Sequence, residues 1–250
     1  GTIPEVFREL ESGAAHYAVV PVENSTEGGV TATLDLLTQT GARICGELEL
    51  PIHQCLAVRA GGVADVRRVV SHQQSLAQCR RALERLLPGV PVQAVASNAH
   101  AAQLAAQEDG CASVSGAAAA QRYGLTVLAT NIEDEPGNTT RFLVLGTQAT
   151  RPTGQDKTSL LVELGGPAAT RPGALLDLLE PLRAAGISMT RIESRPARRG
   201  RWEYVFFIDV EGHVLDAPLG GALEVLRGIV ARVTVLGSYP RAITAGGGGA

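Results

Sequence analysis

Between residues 14 and 148, short apolar runs alternate with stretches whose apolar positions recur at helical spacing. The runs YAVVPVE (17–23), RICGELEL (43–50), HQCLAV (53–58), VRRVVS (66–71), VPVQAV (90–95), CASVS (111–115), LTVLAT (125–130) and RFLVLG (141–146) read as strands. VTATLDLLTQT, QSLAQCRRALERLL, SNAHAAQLAAQ and GAAAAQRYG read as helices between them. In the second of these, Leu76, Cys79, Leu83, Leu86 and Leu87 predict one buried stripe. A further helix, PEVFRELESG, opens the chain, with Pro4 suited to its first turn and Gly13 to its end. Strand–helix alternation predicts an α/β fold with a mainly parallel sheet and helices on both faces. Ligands of such sheets bind beyond the carboxyl ends of the strands.

The rhythm then changes. GTQATRPTGQDK (146–157) is polar and rich in turn formers, and reads as a linker. In residues 158–238, TSLLVEL, ISMTRIESRP, RWEYVFFIDVEG and RVTVLGSYP read as strands. RPGALLDLLEPLRAAG, closing at Gly186, and APLGGALEVLRGIV read as helices. The order is βαββαβ, the ferredoxin-like pattern. Residues 239–250, ending in AGGGGA, read as a flexible tail.

Composition narrows the class. A chain of 250 residues suits two modest domains. A net charge of −3 offers no basic field to nucleic acid. No apolar run is long enough to span a bilayer, and no signal segment opens the chain. Cys45, Cys55, Cys79 and Cys111 are scattered, as expected of reduced, mostly buried thiols in a cytoplasmic protein. No histidine lies at ligand spacing from them, so no metal site is expected. The glycosylation-type triplets at Asn24 and Asn138 carry no weight without a secretion route. Lys157 is the sole lysine, a feature in keeping with codon bias.

Four motifs sit at strand junctions. PVENSTEGGV (21–30) puts Glu23, Asn24, Ser25 and Thr26 after a strand, then two glycines and a helix. Such a junction favours anions, although Ser25 or Thr26 could simply cap the helix. SHQQSLAQC (71–79) places Ser71 and His72 at a turn, with Gln74 and Gln78 one helical turn apart. SNAHAAQLAA (97–106) reads best as capping by Ser97 or Asn98, with His100 in solvent. GNTTRFLVLG (137–146) sets Thr139, Thr140 and Arg141 at a strand mouth, where arginine could grip a carboxylate through two parallel hydrogen bonds. Each motif alone is compatible with ordinary caps and strand entries. Together they describe a pocket of neutral donors and a cation for a small compound with several carboxylates. There is no Ser-His-Asp order and no phosphate-loop lysine.

The order of these motifs, followed by RPGALLDLLEPL and IESRP, resembles the prephenate dehydratase family with a C-terminal ACT regulatory domain. The likeness covers nearly the whole chain. It implies a two-lobed catalytic domain like the periplasmic binding proteins, over residues 1–148, followed by a linker and a ferredoxin-like ACT domain over 158–238. The lobes would be residues 1–51 plus 130–148, and 52–129, with the site in their cleft. The implied reaction converts prephenate to phenylpyruvate, water and CO2 without a cofactor, on the route to phenylalanine. By the resemblance, Thr140 helps the hydroxide leave, and Asn24, Ser71 and Gln78 hold substrate or leaving group. Arg141 would anchor a carboxylate, with Glu23, Ser25, His72 and Thr139 in support. L-phenylalanine would bind at an interface between ACT domains, through Gly173, Ala174, Leu175 and Leu176 and through Glu193, Ser194, Arg195 and Pro196. That implies a homodimer or homotetramer.

Two departures stand out. Gln73 occupies a position where the family usually has proline. The family's usual first strand, with its glycine-rich segment, does not occur before TIPEVF. The same chemistry on arogenate is an alternative, and so is a catalytically inactive amino-acid sensor. No chorismate mutase helices are expected within these residues.

Overall fold

Each apolar run of the first half becomes a strand in the structure, a computed structural model that describes residues 2–165, 171–197 and 204–242. The chain begins with α1 (Ile3–Glu11), β1 (Ala18–Asn24), β2 (Gly28–Gly29), α2 (Thr31–Leu37) and β3 (Arg43–Pro51). It continues with β4 (Cys55–Val58), β5 (Arg68–His72), α3 (Gln73–Gln78), α4 (Arg80–Leu86) and β6 (Val92–Val95). Then come α5 (Asn98–Gln107), β7 (Cys111–Ser115), α6 (Ala117–Arg122), β8 (Thr126–Ala129) and β9 (Thr139–Gly146). The last part is β10 (Asp156–Glu163), α7 (Ala174–Ala184), β11 (Met189–Pro196), β12 (Tyr204–Glu211), α8 (Ala217–Ile229) and β13 (Arg232–Pro240). Arg201 to Glu203 of the expected strand RWEYVFFIDVEG, and residues 243–250 of the expected tail, lie outside the described residues, whereas Tyr239 and Pro240, also expected in that tail, belong to β13, with Tyr239 fully buried.

Contacts divide the chain into two units. One holds Gly1–Leu50 and Thr140–Ala250, and the other holds Pro51–Thr139. The second unit therefore runs ten residues beyond the expected lobe end at 129, through the whole acidic turn.

In the first unit, α1 starts where the Thr2 N–H donates to Glu5 Oε2 at 2.6 Å, and buries Phe7 and Leu10 one helical turn apart. Its first sheet has the order β2-β1-β9-β3, with β1 antiparallel to both neighbours. Its second sheet has the order β11-β12-β10-β13, with antiparallel pairs throughout. That is the ferredoxin-like arrangement expected. Alternation along β10 sorts its side chains: Leu160 and Val162 pack under α7 and α8, while Leu161 faces the other way. Leu161, Phe207, Leu236 and Tyr239 share one core with Phe7, Val20, Ile44, Leu143 and Leu145. The two sheets of this unit thus bury a common layer. The expected linker is short, because its last residues, Asp156 and Lys157, are already buried in β10.

In the second unit the sheet order is β6-β5-β7-β4-β8. The expectation of a mainly parallel sheet needs correction here. β5 runs parallel to β6 and β7, but β4 is antiparallel to β7 and β8. Parallel return needs a crossover, usually helical. β5, β6 and β7 are joined by helices, whereas β4 reaches β5 through one short 3₁₀ turn.

The stretch QSLAQCRRALERLL is also not one helix. It breaks at Cys79 (φ −114°, ψ 14°). The cause lies far along the chain. Asp134 accepts from the Arg81 and Ala82 N–H groups at 2.9 and 3.0 Å, and its own N–H donates to the Gln78 carbonyl at 2.7 Å. The backbone bond that would have continued the helix past Gln78 is replaced by this cap. The Cys79 thiol, sealed by burial and near Asp134, is pushed up to about 12.

Candidate functional site

The segment ENSTEGGV forms a β-hairpin turn, not a strand-to-helix cap. Glu23 pairs with Gly29 and Asn24 with Gly28, and α2 begins only at Thr31. Ser25 and Thr26 are exposed turn residues and cap no helix. Gly28 takes φ +79°, and a Cβ at Gly29 would overlap the Glu193 carboxylate. The glycines serve the turn and a neighbouring strand.

The hairpin fixes Asn24. Its Oδ1 accepts from the Thr26 and Glu27 N–H groups at 3.0 and 3.2 Å. Its Nδ2 therefore points outward and donates to Thr140 Oγ1 at 2.9 Å, across a directly paired position of β1 and β9. The Thr140 oxygen is an acceptor here, so its own proton remains to be donated. An oxygen that accepts one hydrogen bond is a stronger donor in the next. Thr139 Oγ1 lies 3.3 Å from the Gly137 carbonyl, within its own loop.

In the second unit, β5 and β7 end side by side and deliver a second polar group. Ser71 has no exposed surface. Its hydroxyl lies 2.6 Å from the Val114 carbonyl oxygen and 3.0 Å from Asn98 Oδ1. Ser75 Oγ and the His72 N–H also donate to Asn98 Oδ1, at 3.0 and 3.3 Å. Ser97 is the cap of α5, accepting from the His100 N–H at 3.0 Å, as the capping reading expected. Gln78 ends α3 at the Cys79 break.

Arg141 needs a correction. Adjacent strand residues face opposite sides of a sheet. Thr140 and Arg141 therefore diverge, and Arg141 is buried against the second sheet of its unit. Its Nε donates to Glu47 at 2.7 Å, one terminal nitrogen to Asp209 at 2.6 Å, and the other to the Tyr239 hydroxyl at 3.0 Å. Lys157 Nζ contacts both Glu47 oxygens at 2.8 and 3.0 Å, so the sole lysine is a structural partner. Ser159 bridges Asp209 and Tyr239 at 2.5 and 2.6 Å. Burial works against the Arg141 charge, but Asp209, Tyr239 and Glu47 outweigh it and hold its pKa above the ordinary value. Burial likewise opposes ionised Glu47, and Arg141 and Lys157 overcome it, holding the carboxyl below the usual range. Every guanidinium nitrogen has a protein acceptor, which leaves no fork for a substrate carboxylate.

Glu23 also faces this side. Its carboxylate lies 3.3 Å from Arg191 and 3.7 Å from Arg141. In β11, Arg191, Glu193 and Arg195 alternate with more exposed neighbours. Arg191 pairs with Glu193, and Arg195 pairs with Asp35 of α2 at 3.0 Å. The Glu193 and Arg195 side chains thus turn toward their own chain, while Ser194 and Pro196 are exposed. Gly173 takes φ +84° before α7 with open space where a Cβ would stand. Ala174 is buried, whereas Leu175 and Leu176 are 41% and 66% exposed.

The acidic turn before Thr139 has its own structural use. Glu133 accepts from the Gln54 N–H at 2.9 Å and lies 2.7 Å from His53 Nδ1. Burial pushes its carboxyl up, but the His53 and Gln54 hydrogen bonds prevail and hold it below the usual range. Asp134 caps α4, and Glu135 pairs with Arg81. The roles of Ser75, Asp134, Asp209 and Tyr239 escaped the sequence reading. Only Asp134 carried a signal, an acidic residue next to a turn. All four described cysteines are free, and three are buried. Among the described residues, no cluster of His, Cys, Asp or Glu could hold a metal ion, and no helix is long and apolar enough to cross a membrane.

Fold and polar sets together define a two-unit α/β protein carrying a βαββαβ domain. A profile described as prephenate dehydratase matches residues 1–150, and one described as ACT domain matches residues 168–228. The chain belongs to the prephenate dehydratase family. It is 49% identical over 242 residues to a bifunctional chorismate mutase/prephenate dehydratase of Stutzerimonas stutzeri, covering 96% of this chain and 65% of that one. The chain thus spans just under two thirds of that relative's length. It is 43% identical over 235 residues to a prephenate dehydratase of Mycolicibacterium vanbaalenii, covering 92% of this chain and 74% of that one. A solved prephenate dehydratase from Arthrobacter aurescens, in complex with L-Phe, superposes with a TM-score of 0.86 at 36% identity, covering 96% of this chain and 80% of that one.

Proposed function

We propose that this chain is a prephenate dehydratase, converting prephenate to phenylpyruvate in L-phenylalanine biosynthesis in the cytoplasm, with L-phenylalanine as its effector. The observation that carries the reading is the Asn24–Thr140 pair, in which the Asn24 amide donates to Thr140 and leaves the threonine proton to give away. Prephenate is a dianion with a ring hydroxyl. Its ring carboxylate departs as CO2, the electron pair of that C–C bond enters the ring, and the C–O bond breaks to release hydroxide. Phenylpyruvate keeps the remaining carboxylate. The Thr140 hydroxyl serves the departing oxygen, first as a hydrogen-bond donor and then as a proton source once that oxygen approaches the basicity of hydroxide. Neutral donors, Gln78 among them, serve the carboxylates. Glu23 and Arg141 contribute from behind, by fixing the strands that carry Asn24 and Thr140.

The effector reading rests on Gly173 and on exposed apolar side chains of the same domain. Leu175, Leu176, Ile192 and Tyr204 are all exposed by more than a third, with the smallest at 39%. Such a surface suits a second copy of the chain and a phenylalanine side chain at the seam, giving a homodimer or homotetramer.

The test is to mix the purified chain with prephenate at neutral pH and to follow phenylpyruvate, with and without phenylalanine, with arogenate in parallel. Rapid turnover of prephenate that phenylalanine alters is expected. Turnover of arogenate alone would make the chain an arogenate dehydratase. Folded protein inert toward both would leave the amino-acid sensor.

A further inference from the structure

We propose that Asn98 is a substrate-binding residue of this reaction and that Ser71 acts through it. The inference rests on the dehydratase reading. Family likeness puts Ser71 on the substrate, yet Ser71 has no exposed surface and its hydroxyl proton faces two protein oxygens. A sealed group whose proton is already directed inward cannot donate to a ligand. Asn98 is half-buried and bonded directly to it.

The amide of Asn98 has a defined orientation. A backbone N–H can only donate, so the atom that the His72 N–H faces is the amide oxygen. The Ser71 and Ser75 hydroxyls converge on the same oxygen. The His72 N–H and the Ser75 hydroxyl hold Oδ1, with the single Ser71 proton shared between it and the nearer Val114 oxygen, and Nδ2 points away with two hydrogens for which no acceptor is found among the described residues. The place is also right. Ser71 lies near the carboxyl end of β5, Val114 near that of the parallel strand β7, and Asn98 opens the helix after β6. Crevices outside the carboxyl ends of parallel strands are where such sheets bind ligands. With Arg141 committed elsewhere, a neutral pair of N–H donors is a natural partner for a carboxylate of a dianion.

Asn98→Asp isolates the claim. It keeps an oxygen for the His72, Ser75 and shared Ser71 protons and replaces the N–H donors with a negative oxygen. The KM for prephenate should rise roughly tenfold or more, with a smaller change in kcat and an unchanged melting temperature. Asn98→Ala should raise KM as well. Ser71→Ala should raise KM in the wild-type background and add nothing to Asn98→Ala, because both remove one device. A wild-type KM in folded Asn98→Asp overturns the inference. Should that variant not fold, a wild-type KM in Asn98→Ala overturns it, as does full additivity of the two alanine variants. A wild-type chain inert toward prephenate removes the dehydratase reading and this inference together, whereas an active wild type with an indifferent Asn98 removes the inference alone.

Discussion

The two faces of strand β9 are built to opposite specifications. On one, the Thr140 hydroxyl accepts from Asn24 and keeps a proton that no described residue takes. On the other, Arg141 and Lys157 are matched against Glu47 and Asp209, with Tyr239 and Ser159 filling the remaining positions. The first face holds polar potential in reserve. The second uses all of it. A buried charge is tolerated when partners satisfy it, and a reactive hydroxyl is useful when they do not. Position within the strand decides which fate a residue meets, because neighbours one residue apart point in opposite directions. The consumed face also joins the two sheets of the first unit, since Glu47 and Arg141 come from one and Lys157, Asp209 and Tyr239 from the other.

The comparison is broken most forcefully by removing the centre of the consumed face. Arg141→Met leaves Asp209 buried beside neutral groups and Glu47 with Lys157 and the Ala242 N–H. Removing one partner of a buried ion pair costs about 3–5 kcal/mol. Urea unfolding should show a loss of that order. A variant as stable as the parent would mean that these charges are hydrated in solution and that the face is not sealed.

Thr140→Ala attacks the other side. It removes one small hydroxyl that accepts a single bond. Stability should change by less than about 1 kcal/mol. Turnover should fall by about 10²–10³, the usual consequence of losing one preorganised donor to a developing oxyanion, with a small change in KM. The opposite pattern, lost stability and kept turnover, would place Thr140 on the structural side and erase the distinction between the faces.

How far the sequence could foretell this follows from where each determinant lies. Apolar periodicity is local, so the strands and the βαββαβ order were legible. Asn24 and Thr140 were legible as a polar set because both sit at strand ends next to turn residues. The direction of Arg141 was legible in principle, since period-two alternation forbids it from sharing a face with Thr140, but the family motif drew attention to the pair as a unit. The helix break at Cys79 was not legible. It is imposed by Asp134, a residue remote in the chain, and the heptad-like stripe of Leu76, Cys79 and Leu83 survives it. The antiparallel entry of β4 was hidden for a related reason, because alternation of strands and helices says nothing about a strand that arrives without a crossover. Asn98 looked like a helix cap because Ser97 beside it is one. Only the convergence of Ser71, Ser75 and His72 on its oxygen sets it apart.

The smallest expected effect is also the one that reads the consumed face most directly. Glu47 is buried, and its carboxyl is held below the usual range because Arg141 and Lys157 outweigh the burial. A carboxylate with a depressed folded value contributes stability that is fully present above its unfolded value, about 4.3. That contribution is lost as pH falls through the lower, folded value, because the unfolded chain takes up the proton first. Wild-type stability should therefore hold down to about the unfolded value and decline as pH falls from there toward the folded one. In Arg141→Met the largest opposing charge is gone and burial gains weight, so the Glu47 carboxyl moves upward toward its unfolded value and the loss of stability on acidification should be smaller. Glu133 serves as an internal control, since its low value depends on His53 and Gln54, which the substitution does not touch. Urea midpoints measured from pH 7 to pH 3 on both proteins should converge as acid is added. Curves that stay parallel would show that Lys157 and the Ala242 N–H together set Glu47, and that Arg141 owes its burial to Asp209.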